Sequence, residues 1–437
     1  VFQTFRNAWK IPELKNRLLF TLAILVVYRL GCAIPVPFVS STALTQMFAS
    51  NGDMLSYLNM MSGGALARCT LFALGVTPYI NASIIVQLLT VAIPSLENLA
   101  KEADGQQKLQ QINRYAGAVI ALIMGIGYYF VIRNMNALEY RDGAAGIFAA
   151  VVIIATFVAG AQLITWCGEQ IDDKGIGNGL SLLIFSSIVS NWSSLYTTVA
   201  GLLTRAAAGE SQFYIFLPLL LVLALVVIVF IVIMTNAERR ITIQYAKRVV
   251  GRKQMGGQNS YLPLKLNMSG VMPIIFAQAL MFIPMFFSRF EATSAIGTAF
   301  SDYRGFWYNL VFGLLVVAFT YFYTAITVNP NMMAEDMKRN GGFIPGVKPG
   351  KKTVEYLDTI MTRITLPGSI FLAIVAILPA FAMIIGINDQ FALFYGGTSL
   401  LILVGVVLDT LQQIESYLLL RHYDGLMKTG RIKGRTA

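Results

Sequence analysis

Apolar residues run along this chain in long blocks divided by short polar or basic stretches. Ten blocks lie near 18–34, 78–93, 115–132, 146–167, 180–200, 213–234, 269–287, 306–328, 364–387 and 396–418. Each is close to the roughly 20 residues a helix needs to cross a hydrocarbon core of about 30 Å. The stretch 52–93 departs from the pattern. Its first piece, 54–61, is too short to cross, Gly63 and Gly64 interrupt it, Arg68 follows, and a second piece starts near Pro78. A broken helix is tolerated at membrane depth only where protein or a water-filled cavity surrounds it. The segment therefore predicts a chain that encloses a path through the membrane, with a short helix over 54–67 that does not span.

Composition agrees. Hydrophobic residues make up 56% of the 437 and charged residues 13%, against roughly 25% charge in an ordinary soluble domain. Charge then sets orientation, because basic residues collect in cytoplasmic loops. Four lie before the first block (Arg6, Lys10, Lys15, Arg17), three in 94–114 (Lys101, Lys108, Arg114) and one in 168–179 (Lys174). Loop 235–268 holds Arg239, Arg240, Lys247, Arg248, Arg252, Lys253 and Lys265. Loop 329–363 holds Lys338, Arg339, Lys348, Lys351, Lys352 and Arg363, and the tail holds Arg421, Lys428, Arg431, Lys433 and Arg435. These are 26 of the 33 basic residues, and ten spans put all of them on one face. Both termini are expected on the cytoplasmic side. A wrong span count would scatter the charges across both faces.

Loops 235–268 and 329–363 exceed thirty residues each, with basic clusters and Gly/Pro turns. Short loops would hold topology equally well, so length and charge together favour docking of an acidic surface, such as RNA or an acidic protein. Five spans precede the outer break at 201–212 and five follow, so 1–200 and 201–437 read as halves of inverted topology. The expected fold is an all-α polytopic membrane protein of ten helices in two inverted five-helix halves, plus the short helix.

Candidate chemistry narrows the picture by exclusion. His422 is the only histidine, which argues against histidine metal sites or acid–base catalysis. Cys32, Cys69 and Cys167 form no CxxC and read as small buried apolar residues. GIGNG at 175–179 lacks dinucleotide spacing and reads as a tight turn, and GVKPGKKT at 346–353 lacks phosphate-loop spacing. Acidic residues are scarce in the spans. Glu169, Asp409 and Glu415 sit near predicted cytoplasmic ends, which counts against an ion-coupled solute transporter. Arg29, near the outer end of the first span, either snorkels or pairs. Asn81, Ser83 and Gln87 dot an otherwise aliphatic second span, as interhelical bonding or a water-lined face would require, and Pro273 and Pro284 offer kinks in the seventh. An intramembrane protease is disfavoured, since no span carries a histidine and no paired-aspartate or GxSG site is visible. The first run lacks an A-x-A site and reads as a span rather than a cleaved signal. The chain opens on Val, so preceding residues are expected.

Seven motifs occur in order along nearly the whole chain. They are MSGGALAR, FALGVTPYINASIIVQLL, GEQIDDKGIGNGLSLLIF, LPLKLNMSGVMPIIFA, NP at 329–330, GGFIPGVKPGKKT and YGGTSLLI. Together they resemble the SecY family of bacterial protein-conducting channels. The resemblance implies a multi-pass protein of the bacterial cytoplasmic membrane, without a cofactor, that passes unfolded secretory chains across and releases apolar segments sideways into lipid. A SecA motor ATPase or a translating ribosome would drive it, SecE and SecG would be its membrane partners, and signal peptides and nascent chains its cargo. It further implies a plug around Met54, Leu55, Leu58, Met61, Gly63 and Gly64. A constriction ring falls on Val76, Ile80, Leu180, Ile184, Ile275 and Ile402. Gate-lining residues are Asn81, Ser83, Gln87, Pro273 and Gln278. Partner docking falls on Arg239, Arg240, Lys247, Arg248, Arg252, Lys253, Lys348, Lys351 and Lys352. One departure is Lys348 before Pro349-Gly350, where the family's bacterial pattern has Arg. Lysine keeps the charge but loses the planar five-donor fork.

Overall fold

The structure is a computed structural model. It describes residues 9, 11–40, 62, 64–101, 104–134, 137–141, 143–190, 196, 199–201, 203–204, 212–245, 248–250, 253–255, 259–286, 305–384 and 398–428. The chain divides into two units, Val1–Tyr196 with Val406–Ala437, and Thr197–Gly405.

The first unit holds α1 (Pro12–Gly31), α2 (Thr77–Ala92), α3 (Pro94–Lys101), α4 (Gly105–Asn134), α5 (Gly143–Lys174) and α6 (Gly179–Ser190). The end of α12 (Thr398–Lys428), from Val406 on, belongs to it too. Prolines sit in the first turns of α1 and α2, where a missing N–H costs no helical hydrogen bond. α2 and α4 pack as a hairpin joined by α3, α4 continues against α5, and α1 lies against α5 and α6. Their shared core includes Leu66, Cys69, Tyr128, Ile132, Ile153 and Phe157. Burial of that much apolar surface is the main stabilising term, at about 25 cal/mol per Å² removed from water.

The second unit holds α7 (Gln212–Asn236), α8 (Met272–Phe286), α9 (Phe306–Thr327), α10 (Pro330–Arg339) and α11 (Lys351–Ile384), with the start of α12. It also contains strands β1 (Glu238–Tyr245), β2 (Arg248–Val250), β3 (Lys253–Met255), β4 (Asn259–Lys265) and β5 (Gly342–Phe343). β4, β1 and β5 form one antiparallel sheet, with Ile241 opposite Leu262 and Gln244 opposite Phe343, while β2 and β3 form a separate hairpin. Ile241, Ile243 and Leu264 are buried on one side with Met337, Ile344 and Leu357. Pro263 falls on the edge strand, the place where a residue without an N–H is tolerated. The Asn-Pro pair at 329–330 starts α10: the Asn329 side chain accepts from the N–H of Asn331 at 3.0 Å, and Pro330 opens the first turn.

Two expectations are corrected here. The chain is mostly helical but not all-α, because both long basic loops contribute strands to one small sheet. The alternation in ITIQ and LPLK is its sequence signal, hidden among the basic residues. Pro273 makes no kink, since it lies in the first turn of α8.

Helices occupy all ten expected blocks. Among the described residues five are both long and apolar enough to cross a membrane: Gln107–Asn134, Gly143–Lys174, Phe306–Arg339, Lys351–Met383 and Ser399–Leu419. α2, α6 and α8 span 16, 12 and 15 residues, fewer than a full crossing takes. Large apolar side chains face outward along these helices, among them Val26 on α1, Ile123 on α4, Val151 on α5 and Leu314 on α9. In water such an exterior would be a liability; against lipid it is the required one.

Candidate functional site: the broken segment and the starts of four helices

The chain from residue 64 to Val76 is a succession of turns. The short helix expected over 54–67 therefore does not extend over 64–67, and residues 54–61 and Gly63, with Met54, Leu55, Leu58 and Met61, lie outside the described residues. Gly64 and Gly75 have φ of +82° and +57°, which a right-handed helix cannot accommodate, and Cys69 shares that region at +49°. Hydrogen bonds hold the turns in place. Ser62 Oγ accepts from the N–H of Leu66 at 3.1 Å, the Tyr128 hydroxyl donates to the Leu66 carbonyl, and the N–H of Leu71 donates to the Ile34 carbonyl at 2.9 Å. Phe72 stacks on Tyr28 with ring centroids 5.5 Å apart. Two glycines admit the segment: a Cβ on Gly31 would lie 2.0 Å from the Phe72 ring, and one on Gly160 would lie 1.9 Å from the Leu71 carbonyl oxygen. The irregular backbone of 64–76 is thus sheltered by protein rather than by lipid, as depth in a bilayer demands.

The six aliphatic residues expected at a constriction all sit at or near helix starts. Val76 caps α2, and Ile80 donates its N–H back to the Val76 carbonyl at 3.1 Å, one turn on. Leu180 and Ile184 occupy one face of α6 in the same i, i+4 relation. Leu180 lies over Gly168 of α5, where a Cβ would be 2.8 Å from its Cδ2. In the second unit Ile275 is in the first turn of α8, and Ile402 is in the second turn of α12. Val76, Ile184 and Ile402 are buried, and Ile80, Leu180 and Ile275 are half-buried.

Of the gate-lining candidates, Asn81, Ser83 and Gln87 are half-buried on α2, which also leaves Ile85, Leu88 and Leu89 uncovered. On α8, Pro273 is buried and Gln278 half-buried. α8 packs against α9 through Phe276, stacked on Phe319 at 5.7 Å.

GIGNG is a turn, as its spacing predicts, and it ties several helices together. Gly177 has φ of +91°, and a Cβ on Gly179 would lie 2.0 Å from the Gly168 carbonyl oxygen. Asp172 Oδ1 accepts from the N–H of Gly179 at 2.7 Å, Asn178 Oδ1 accepts from Ser181 at 3.0 Å, and Thr21 Oγ1 of α1 accepts from Ile176 at 3.1 Å. Arg29, open between two fates in the sequence, is a pairing residue. Its guanidinium donates to the side chain and carbonyl of Ser186 on α6 and lies over the Tyr28 ring. Cys32, Cys69 and Cys167 are buried free thiols. Among the described residues no group of three or more His, Cys, Asp or Glu could hold a metal ion.

One pair escaped the sequence reading. Arg114 of α4 grips Glu169 of α5 through two hydrogen bonds, the longer 3.2 Å, and the carboxylate side chain is only 11% exposed while the arginine is 54% exposed. The signal was the position of both residues at predicted cytoplasmic ends of adjacent spans. We expect Arg114→Leu to cost more than Glu169→Gln. The first strands a buried carboxylate, at roughly 2 kcal/mol after allowance for the exposed partner, and the second leaves an arginine already half in water. Thermal unfolding in detergent checks the order, and equal losses would contradict it.

Among the docking candidates, Arg239, Arg240, Lys348, Lys351 and Lys352 are exposed. Arg240 pairs with Glu238 at 2.7 Å. Arg248 lies in β2 and Lys253 in β3, whereas Lys247 and Arg252 lie outside the described residues. The Lys348 carbonyl accepts from Thr353 Oγ1 at 3.1 Å, and Gly346 and Gly350 take φ of +82° and +103°, so the 344–353 turn has a defined shape. Lys351 and Lys352 open α11 with no acidic residue in its first turn. This charge placement opposes the helix dipole, which favours anions there, so stability alone does not account for it.

The family model described as SecY matches residues 70–411. Protein translocase subunit SecY of Streptomyces scabiei is 40% identical over 440 residues, covering 97% of this chain and 99% of its own. The protein of the same description from Thermotoga maritima is 39% identical over 445 residues, with 100% of both chains covered. Among solved structures, one described as the structure of a protein conducting channel aligns with a TM-score of 0.61 at 18% identity, covering 94% of this chain and 96% of that one. Sec61 in the canine ribosome–channel complex from the endoplasmic reticulum aligns at 0.56 and 17% identity, with the same coverage. At these identities the structural likeness speaks to fold.

Proposed function

The chain belongs to the SecY family, and from that membership we propose that it is the passive channel subunit of a protein translocase in a bacterial cytoplasmic membrane. It performs no chemistry; a SecA ATPase or a translating ribosome supplies the force. The observation that carries the reading is the succession of turns at 64–76, followed by short helices α2 and α6 that start with aliphatic residues. A helical anchor or a simple bundle has no use for chain reversal at that depth.

In this reading ten segments cross, 1–200 and 201–437 are inverted halves, and both termini are cytoplasmic. Residues around 54–64 act as a displaceable plug. Val76, Ile80, Leu180, Ile184, Ile275 and Ile402 form an apolar waist that disfavours ions and yields around a passing chain. α2 and α8 flank a lateral exit, through which an apolar segment partitions into lipid. The basic strands and the 344–353 turn receive SecA or ribosomal RNA and protein, with Lys348 giving a point contact where arginine would give a bidentate one. SecE and SecG complete the membrane assembly.

Reconstitution with SecE-type and SecG-type subunits, SecA and ATP is expected to carry a presecretory substrate into protease-protected lumen. No protection, together with ion-coupled uptake of a small solute, would overturn the proposal in favour of a transporter.

A further inference from the structure

Four residues on α12 form a helical stripe that grips the 175–177 turn and α1. Thr410 Oγ1 would lie 3.1 Å from a Cβ on Gly177, so the helix runs directly beside that backbone. Gln413 Oε1 accepts the Gly177 N–H at 2.9 Å. Ile414 is fully buried with Leu14 and Ile176. Tyr417 lies beneath the Arg17 guanidinium at 5.3 Å, and Arg17 in turn donates to the Gly175 carbonyl at 3.4 Å. The spacing 410, 413, 414, 417 is that of one helix face.

One waist residue hangs from the turn that this stripe grips. Leu180 follows Gly177 by three residues, at the start of α6, and Asp172 and Asn178 fix the N–H groups on either side of it. Gly177, at φ of +91°, has a backbone that only glycine takes readily. It therefore presents its N–H in a fixed direction, and a single acceptor on α12 sets the rotation and height of that helix against the turn.

We propose that Gln413 is a positioning residue for the waist: its bond to Gly177 holds in place the turn that delivers Leu180 to the start of α6. The proposal rests on the channel reading above. Gln413 touches no translocating chain, and it acts only through where the Leu180 side chain comes to rest.

The test uses the full chain reconstituted with its membrane partners, and it reads two quantities. Gln413→Leu removes the acceptor at an exposed position, while Gln413→Glu keeps an oxygen there. Hydrogen exchange at the Gly177 amide should quicken about fivefold in the leucine variant, the factor one ordinary hydrogen bond represents, and return to the parental rate in the glutamate variant. Resting ion conductance in planar bilayers should rise severalfold with leucine and fall back with glutamate. Ile80→Lys, placed in the waist itself, serves as the reference. Raised conductance with Ile80→Lys and parental conductance with Gln413→Leu overturns the positioning role and leaves the channel standing. Parental conductance in both overturns the channel reading and this inference with it. Gln413→Ala repeats the measurement should leucine prevent assembly.

Discussion

Ile80→Lys is expected to open a resting ion leak through the assembled protein. Ile80 is half-buried one turn into α2, beside the capping Val76. An ammonium cannot remain dry there, because burying an isolated charge at membrane depth costs several kcal/mol. In the proposed channel, water therefore enters around it and lowers the barrier that an apolar waist raises against ions. Each reduction of about 1.4 kcal/mol multiplies the conductance roughly tenfold. Single-channel recording in planar bilayers measures the effect, with Ile80→Val as a control that keeps the site aliphatic. Folded, membrane-inserted protein with unchanged conductance would place the constriction elsewhere. Ile275→Lys, in the first turn of α8, is expected to behave the same way.

Gly160→Val should be among the most damaging single changes to the fold. A Cβ at Gly160 would stand 1.9 Å from the Leu71 carbonyl oxygen and 2.9 Å from its carbon. The obstacle is backbone, so no rotamer relieves it, and either α5 or the turns at 64–76 must move. Overpacking of this kind costs roughly 1–3 kcal/mol and more when the neighbour cannot yield. Gly127 of α4 supplies the contrast. A Cβ there meets nothing within 4 Å, so Gly127→Ala is expected to be neutral or to stabilise by up to about 1 kcal/mol through helix propensity. Thermal unfolding of both variants in the same detergent separates the two outcomes. Equal melting temperatures would show that 64–76 is not wedged against α5.

The apolar blocks were legible because length and hydropathy alone decide where helices form in a bilayer. The turn at 175–179 could be read because glycine spacing without a phosphate-loop framework leaves little else. What escaped depends on pairing between distant residues. β1 and β4 each alternate apolar and polar residues for only a few positions, and β5 is two residues long. Their joining depends on Gln244 meeting Phe343, about a hundred residues on. The turns at 64–67 read as the tail of the short helix 54–67 until the positive φ of Gly64 is seen. Arg114 and Glu169 are ordinary surface charges in a list of residues, and only the packing of α4 on α5 makes them a pair.

The small sheet has a mechanical side. β4 runs into α8 after six residues, 266–271, and α9 returns through α10 to β5. The α8–α9 pair is therefore clasped by a single antiparallel sheet, the loop closed by the bonds of β1 to both neighbours. Six residues are all that separate the strands from α8. Ile275 lies ten residues beyond Lys265, with Gly368 of α11 pressed against the Leu266 carbonyl, where a Cβ would be 2.5 Å away. The sheet is tethered to α8 by a short connector, so a displacement of the strands has little chain in which to be absorbed before it meets α8.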